Sequence, residues 1–378
     1  MKFPERGTKK EALLQMLLQI QEQNTSFKSG RILGSMCAKP VDISIKAYNI
    51  FIESNLGNPG LYPGTQKLEK EVVGMLGDLL GNRRVFGRVL SGGTEANITA
   101  LWQYRNIWKK SEVLLPLNAH FSLKKGCDLL RLKPRTLKLD KNYTMDIRDL
   151  KRKISKNTLC VVAVAGSTEL GTVDNIPEIG EICEKEGIPL HVDAAFGGFV
   201  IPFLQRLGYS IPDFDFRVRG VTSITIDPHK MGQSVMPSGV LLTRENYWES
   251  IGFSTPYLTS EVQSSLLGTR ASGAVAGTYA AIKFFGREGY TDLVRYCMDL
   301  TEECVKIAGS YGISPVIKPV MNILGLRIKD ARKIVRKLWQ HKFFVSYGEL
   351  TKSMRLVLMP YIKKKNLELL FKVINKCP

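Results

Sequence analysis

The sequence predicts an α/β protein in which a large domain on a mostly parallel sheet is followed by a smaller C-terminal α/β domain. Three observations predict it. Between Val85 and Thr243, short apolar runs alternate with stretches of helical periodicity, as in parallel strands joined by crossover helices. Past a small-residue stretch at Gly268–Ala281, a long helical pattern from Thr291 to Ala308 leads into further strand and helix units ending at Cys377. The length, 378 residues with 44% hydrophobic and 24% charged, suffices for one large core and a smaller one. The expected division is an N-terminal arm over residues 1–60, a large domain over 61–285 and a small domain over 286–378.

Taken in order, Lys9–Gln23 places Leu13, Leu14, Leu17, Leu18 and Ile20 close to one helical face, which needs another surface to cover it. The Gly- and Pro-rich loop Asn55–Thr65 ends the arm. Val72, Val73, Leu76, Leu79 and Leu80 then recur at helical spacing up to Gly81. Strands are expected at Val85–Leu90, Val113–Pro116, Leu159–Ala165, Pro189–Val192, Val221–Ile226 and Gly239–Thr243. Helices such as Glu95–Lys109, Leu123–Leu130 and Ile176–Glu186 sit between them.

The 54 Lys and Arg against 35 Asp and Glu give a formal charge of +19, a field that attracts anions. These basic residues are spread along surface helices and form no arm or RNA-binding signature, so no nucleic-acid partner is expected. An acidic substrate and a phosphorylated cofactor account for the same charge. No apolar run is long enough to span a bilayer, and the start MKFPERGTKKEALLQ lacks the apolar core of a secretion signal. A cytoplasmic protein without membrane contact is the expectation. The seven cysteines are scattered, with no Cys-x-x-Cys pair, and read as reduced thiols rather than a disulfide framework or a metal site.

Three segments carry chemistry, each directly after an expected strand: SGGTEAN at Ser91–Asn97, HVDAAFGG at His191–Gly198 and DPHKMG at Asp227–Gly232. In open α/β sheets ligands bind outside the carboxyl ends of the strands, so all three can converge. In the first, two glycines allow a tight turn into a helix whose free N–H groups favour a phosphate; by itself it also fits a plain Gly-rich turn with a Thr cap. In the second, Asp193 ends an apolar strand, where a carboxylate is costly without a positive partner such as a protonated pyridine nitrogen. An Asp capping the next turn fits it equally well. In the third, Lys230 stands at a crowded strand end, where desolvation and nearby cations are expected to lower its pKa and make it a Schiff-base nucleophile. Only the joint occurrence of the three, in this order, outweighs one more surface lysine.

The order SGGTEAN, AHFS (Ala119–Ser122), HVDAAFGGF and DPHKMG resembles the group II pyridoxal-phosphate (PLP) decarboxylases, on the fold-type-I aminotransferase scaffold. ILGSMC (Ile32–Cys37), NPGLYPGT (Asn58–Thr65), FGGFVIPF (Phe196–Phe203) and GTRASGA (Gly268–Ala274) are most similar to the archaeal L-tyrosine/L-aspartate decarboxylases, across nearly the whole chain. The resemblance implies pyridoxal 5′-phosphate as cofactor, carried covalently by Lys230. It makes Gly93 and Thr94 phosphate ligands, with Asp227 and His229 nearby. It stacks His120 and Ala195 on opposite faces of the ring, sets Thr168 on the ring's 3′-oxygen and Asp193 on its nitrogen. It further implies a homodimer with shared active sites, in which Gly268 and Thr269 reach the phosphate of the neighbouring subunit.

The implied reaction is loss of the α-carboxyl group of an L-amino acid: aspartate, giving β-alanine for coenzyme A, or tyrosine, giving tyramine for methanofuran. Tyr257 is a candidate proton donor, with His120 and Lys230 as rivals. Tyr62 and Thr65 and, across the dimer, Tyr257 and Arg270 are expected to line the substrate pocket, Arg270 pairing with a side-chain carboxylate. That pairing and the charge of +19 favour aspartate slightly. Arg355, His191 and His341 are expected to be structural. A Cα–Cβ lyase of the sphingosine-phosphate type is the rival enzyme, disfavoured because the loop MGQSVMPSG (Met231–Gly239) carries no lysine. A basic scaffold or nucleic-acid-binding protein on a degenerate PLP fold is the non-enzymatic rival. It is disfavoured because every cofactor position retains a usable residue.

Overall fold

The computed structural model describes residues 2–376, so Cys377, where the last expected unit ends, lies outside the described residues. Seven strands form the main sheet: β1 (Phe86–Leu90), β2 (Glu112–Pro116), β3 (Lys133–Leu137), β4 (Thr158–Val164), β5 (Leu190–Asp193), β6 (Val221–Ile226) and β7 (Gly239–Thr243). Their order is β1-β7-β6-β5-β4-β2-β3. β7 is antiparallel to both its neighbours, and the other adjacent pairs run parallel. The central strands are apolar on both faces because helices cover both; all seven residues of β4, TLCVVAV, are buried.

All six expected strands are present with ends shifted by at most a residue or two. The strand that sequence reading missed is β3, KPRTL. It is an edge strand with its first three residues exposed, so it shows neither an apolar run nor alternation. Its proline is tolerated because an edge strand leaves one side unpaired.

Five helices precede or follow the first strands: α1 (Lys10–Glu22), α2 (Asp42–Ile50), α3 (Pro63–Leu79), α4 (Gly93–Trp108) and α5 (Phe121–Leu129). The apolar stripe of α3 buries Val72, Val73 and Leu76 against the main core. In α1 the residues Leu13, Leu14, Leu17, Leu18 and Ile20 are exposed in the single chain, as the unpaired stripe predicts. The small-residue stretch enters the helix Ser272–Ser310, which is interrupted at Gly286 by a φ of 56° that an L side chain rarely adopts.

Beyond that break lies a second, antiparallel sheet in the order 314–315, 323–327, 353–357, 346–348. The helices Ala331–Gln340 and Lys364–Asn375 accompany it, with Leu326, Leu338, Leu356 and Phe371 in its separate apolar core. The arm reaches this sheet, where Ile32 bridges Phe344. Among the described residues, no helix is long and apolar enough to cross a membrane.

The site is positioned by the strand ends. Ser91 follows β1, Asp193 ends β5 and Asp227 follows β6. The loops that carry His120 and Thr168 follow β2 and β4 on the same side.

Candidate active site

One cavity of ≈ 420 Å³ opens at these strand ends, within the range for small-molecule sites. It is lined by Gly93, Thr94, His120, Thr168, Asp193, Ala195, Asp227, His229 and Lys230, so nine of the residues named from sequence meet in one place.

One end of the cavity is the N-terminus of α4. The first i→i−4 bond of that helix runs from the Ala96 N–H to the Gly92 carbonyl, leaving the earlier N–H groups outside the helical ladder. Gly92 has a φ of 144°, and a Cβ on Gly93 would lie 2.9 Å from Asp227 Oδ2, so the close approach needs glycine. At the other end, Asp193 is only 6% exposed. Its Oδ2 accepts from Asn97 Nδ2 at 3.0 Å and its Oδ1 from the Ala195 N–H at 3.2 Å. It forms no ion pair among the described residues, which leaves this buried carboxylate able to take a cationic partner.

Lys230 Nζ lies 3.0 Å from Asp227 Oδ2. Burial alone would depress its pKa, but the Asp227 and Asp193 carboxylates outweigh that and raise it above the usual lysine value. The expectation of a lowered pKa is therefore corrected: the neighbours that decide it are two carboxylates, not cations. Burial lowers the His120 pKa despite the pull of Asp193, so this imidazole is neutral at pH 7. Burial would also lower that of His229, but a hydrogen bond with Cys37 and the charge of Asp227 raise it. Burial acts to raise the Cys37 thiol, and His229 and Lys230 together bring it below its usual range. Sequence reading missed Cys37 as a neighbour of the site, because a half-buried thiol in the arm carries no signal of what lies across from it.

Asn97 and Ser122 are the other residues sequence reading missed, although both lie inside quoted motifs. Their role depends on contacts 25 and 96 positions away along the chain, which no local pattern reports.

The residues expected at the substrate end are elsewhere in this chain. Tyr257 is 82% exposed and does not line the cavity of its own chain. Gly268 and Thr269 are exposed, Tyr62 is half-buried and Thr65 is 2% exposed, all outside the cavity lining. These segments pack on each other: the Gly60 N–H donates to Thr259 Oγ1 at 3.0 Å and the Arg270 N–H to Asn55 Oδ1 at 3.1 Å.

Arg270 requires a correction. Its guanidinium grips Glu69, with NH1 at 2.5 Å from Oε1 and NH2 at 3.2 Å from Oε2, and NH1 also donates to the Val89 carbonyl. Both side chains are buried, and Arg270 lines a second cavity beside β1, away from Lys230. Its donors are committed to bracing the chain, so it is not free to hold a substrate carboxylate. Arg355 is also buried and braces: Nε donates to the Thr168 carbonyl and NH1 to the Gly34 carbonyl at 2.7 Å. His191 is fully buried within the fold, whereas His341 is exposed.

The donor set matches a flat, phosphorylated, nitrogen-containing ring. A helix N-terminus would suit its anion, a buried carboxylate its ring nitrogen and an amine its carbonyl carbon. Comparison with known proteins agrees: the sequence profile of the pyridoxal-dependent decarboxylase conserved domain matches residues 52–310.

The chain belongs to the pyridoxal-dependent decarboxylase family.

This decarboxylase is 44% identical over 370 residues to a probable L-tyrosine/L-aspartate decarboxylase of Methanothrix thermoacetophila, covering 97% of this chain and 95% of that one. It is 42% identical over 377 residues to an L-aspartate/L-glutamate decarboxylase of Pyrococcus horikoshii, covering 97% of each. Among solved structures, a sphingosine-1-phosphate lyase of Burkholderia pseudomallei aligns with a TM-score of 0.92 at 25% identity, covering 100% of this chain and 92% of that one. A Lactobacillus brevis glutamate decarboxylase aligns with a TM-score of 0.88 at 17% identity, over 100% and 94%. The second of these likenesses shows the fold alone. The decarboxylase is thus a carboxy-lyase that uses pyridoxal phosphate on the fold-type-I scaffold.

Proposed function

We propose that this enzyme removes the α-carboxyl group of L-aspartate as CO₂, with L-tyrosine as the second substrate to test. The observation that carries the reading is the convergence of Lys230, Asp193 and the N-terminus of α4 on one cavity. The cofactor, when bound, supplies the electron sink for the pair left behind by CO₂. In this reading Gly93 and Thr94 hold its phosphate, with His229 beside them, and His120 and Ala195 flank its ring. Thr168, its loop gripped by Arg355, faces the 3′-oxygen, and Asp193 keeps a proton on the ring nitrogen.

Lys230 would carry the cofactor covalently, and its free amine lies beside Asp227. A group whose pKa is raised by two carboxylates carries a proton at pH 7, so Lys230 is the donor we favour for the α-carbon. His120, neutral and with a depressed pKa, is the weaker acid.

Support for aspartate no longer includes Arg270. It comes from the formal charge of +19, and from relatives named for aspartate. The lyase reading has a structural likeness at 25% identity and is disfavoured because the loop Met231–Gly239 carries no lysine.

A homodimer is part of the proposal. The exposed stripe of α1 and the exposed Tyr257, Gly268 and Thr269 would meet a second copy, and the half-buried Tyr62 would border the partner's cavity. We read the break at Gly286 as the boundary between the domains 61–285 and 286–378, after an arm over 1–60. Six described free cysteines fit a reducing cytoplasm.

The test is a panel of aspartate, glutamate, tyrosine and cysteine with the pyridoxal-phosphate-loaded protein. Aspartate is expected to give the highest kcat/KM, and its KM to rise severalfold between ~0.05 and ~0.5 M salt as the long-range attraction is screened. A higher kcat/KM for tyrosine would overturn the substrate and leave the reaction standing.

A further inference from the structure

Behind Asp193 lies a continuous chain of buried polar side chains. Asn97 Nδ2 is 3.0 Å from Asp193 Oδ2 and 3.0 Å from Ser122 Oγ, while Asn97 Oδ1 is 2.9 Å from His191 Nε2. His191 Nδ1 is 2.6 Å from Ser223 Oγ, which is in turn 2.6 Å from Tyr104 OH. Ser122 Oγ is 2.8 Å from His120 Nδ1. Tyr104, Ser122, His191 and Ser223 are 0% exposed and Asn97 is 1% exposed, so water does not complete these bonds.

Elementary valence fixes the direction of nearly every bond. An ionised carboxylate only accepts, so the Asn97 amide turns its NH₂ toward Asp193. The same NH₂ gives its second hydrogen to Ser122 Oγ. The Asn97 oxygen then faces His191 Nε2, which must carry a proton; Thr225 Oγ1, 3.4 Å away, is a weaker acceptor for it. Burial drives the His191 pKa down to about 4 despite Asp193, so the ring is neutral and Nδ1 is bare. Ser223 therefore donates to Nδ1 and accepts from Tyr104, whose hydroxyl burial keeps protonated. At the other branch, the Ser122 backbone N–H points at His120 Nδ1 at 3.3 Å, and an N–H can only donate. His120 Nδ1 is an acceptor as well, and its proton sits on Nε2.

We propose that Asn97 is a positioning residue that locks Asp193 and His120 together, holding Asp193 as an acceptor and both His191 and His120 as Nε2–H tautomers. Neither Asn97 nor His191 is a catalytic residue in this assignment. They act by fixing the two groups that face the cavity. Asn97 is the branch point because its amide alone has one acceptor and two donors at the required places. The consequence for binding rests on the reading of Asp193 as the partner of the ring nitrogen, whereas the tautomers are a property of the protein without cofactor.

The test begins with cofactor-free protein labelled with ¹⁵N histidine, in which His191 and His120 are expected to show the Nε2–H pattern between pH 6 and 8. In Asn97→Asp, a carboxylate replaces the amide at the same volume. It faces Asp193 without a hydrogen to give and faces His191 as an acceptor. His191 is then expected to titrate at least about one unit higher than in the parent, and the cofactor Kd to rise about 10- to 100-fold, the usual cost of losing a supporting hydrogen bond behind a site. Asn97→Ala, which leaves a cavity, is expected to weaken the cofactor less than Asn97→Asp. A residue needed only for packing would give the reverse order.

Ser122→Ala serves as a milder variant. It is expected to weaken the Nε2–H preference of His120, which keeps only the Ser122 backbone N–H at 3.3 Å, and to leave His191 unchanged. An Nδ1–H tautomer at His191 in the parent protein, or an Asn97→Asp variant with parental His191 titration and cofactor affinity, would overturn the assignment. If the tautomers are as stated and cofactor affinity does not respond in any variant, the lock is refuted as a support for binding, while Asp193→Asn tests the role of Asp193 separately.

Discussion

Lys230→Ala is expected to lower decarboxylation by about 10⁴-fold or more, the scale seen when a covalent-catalysis residue is removed. It is also expected to eliminate the cofactor adduct that borohydride traps in the parent. Lys230 is the amine beside both Asp227 and Asp193, and it follows β6 at the open end of the sheet. Its Nζ ion pair with Asp227 at 3.0 Å holds it at the cavity wall. The variant should still bind the phosphate, since the N-terminus of α4 is untouched. A labelled peptide recovered from any other lysine, or turnover within tenfold of the parent, would contradict the assignment.

Arg270→Met is expected to cost the fold rather than the chemistry. Removing one partner of a buried ion pair leaves an uncompensated charge, here Glu69, at about 3 to 5 kcal/mol. Glu69 Oε1 also accepts the Val89 N–H at 2.9 Å, so the loss loosens the edge strand β1 and, through the guanidinium bond to the Leu56 carbonyl, the loop that ends the arm. Urea unfolding reads the effect directly. The double variant Arg270→Met, Glu69→Gln should recover part of the loss, because the stranded charge is gone. A stable Arg270→Met protein with a KM defect confined to aspartate would restore the substrate-pairing role that the geometry denies to Arg270.

The parts of this molecule that sequence made legible are those where one local pattern has one structural meaning. β4, buried throughout, reads as an unbroken apolar run, and the glycines at Gly92 and Gly93 mark a turn into a helix that a side chain would obstruct. Asp193 and Lys230 were legible because each breaks the apolar logic of a strand end. What stayed hidden depends on partners far away in the chain. Arg270 was taken for a substrate ligand because nothing nearby announces Glu69, 201 positions earlier. Lys230 was expected to have a lowered pKa because burial is visible in the sequence while the position of two carboxylates around an amine is not. Asn97 lies within SGGTEAN, but its branch-point role exists only once β5, α4 and the loop before α5 are packed together.

The central claim is that this chain takes CO₂ from the α-carbon of an L-amino acid by way of Lys230. The direct measurement follows L-aspartate carrying ¹³C at the α-carboxyl carbon, incubated with pyridoxal-phosphate-loaded parent protein and with Lys230→Ala. The account predicts label released as CO₂ by the parent, one unlabelled β-alanine formed per CO₂, and neither product from the variant. Label retained in a product cleaved between Cα and Cβ, or CO₂ released equally by the variant, would contradict it.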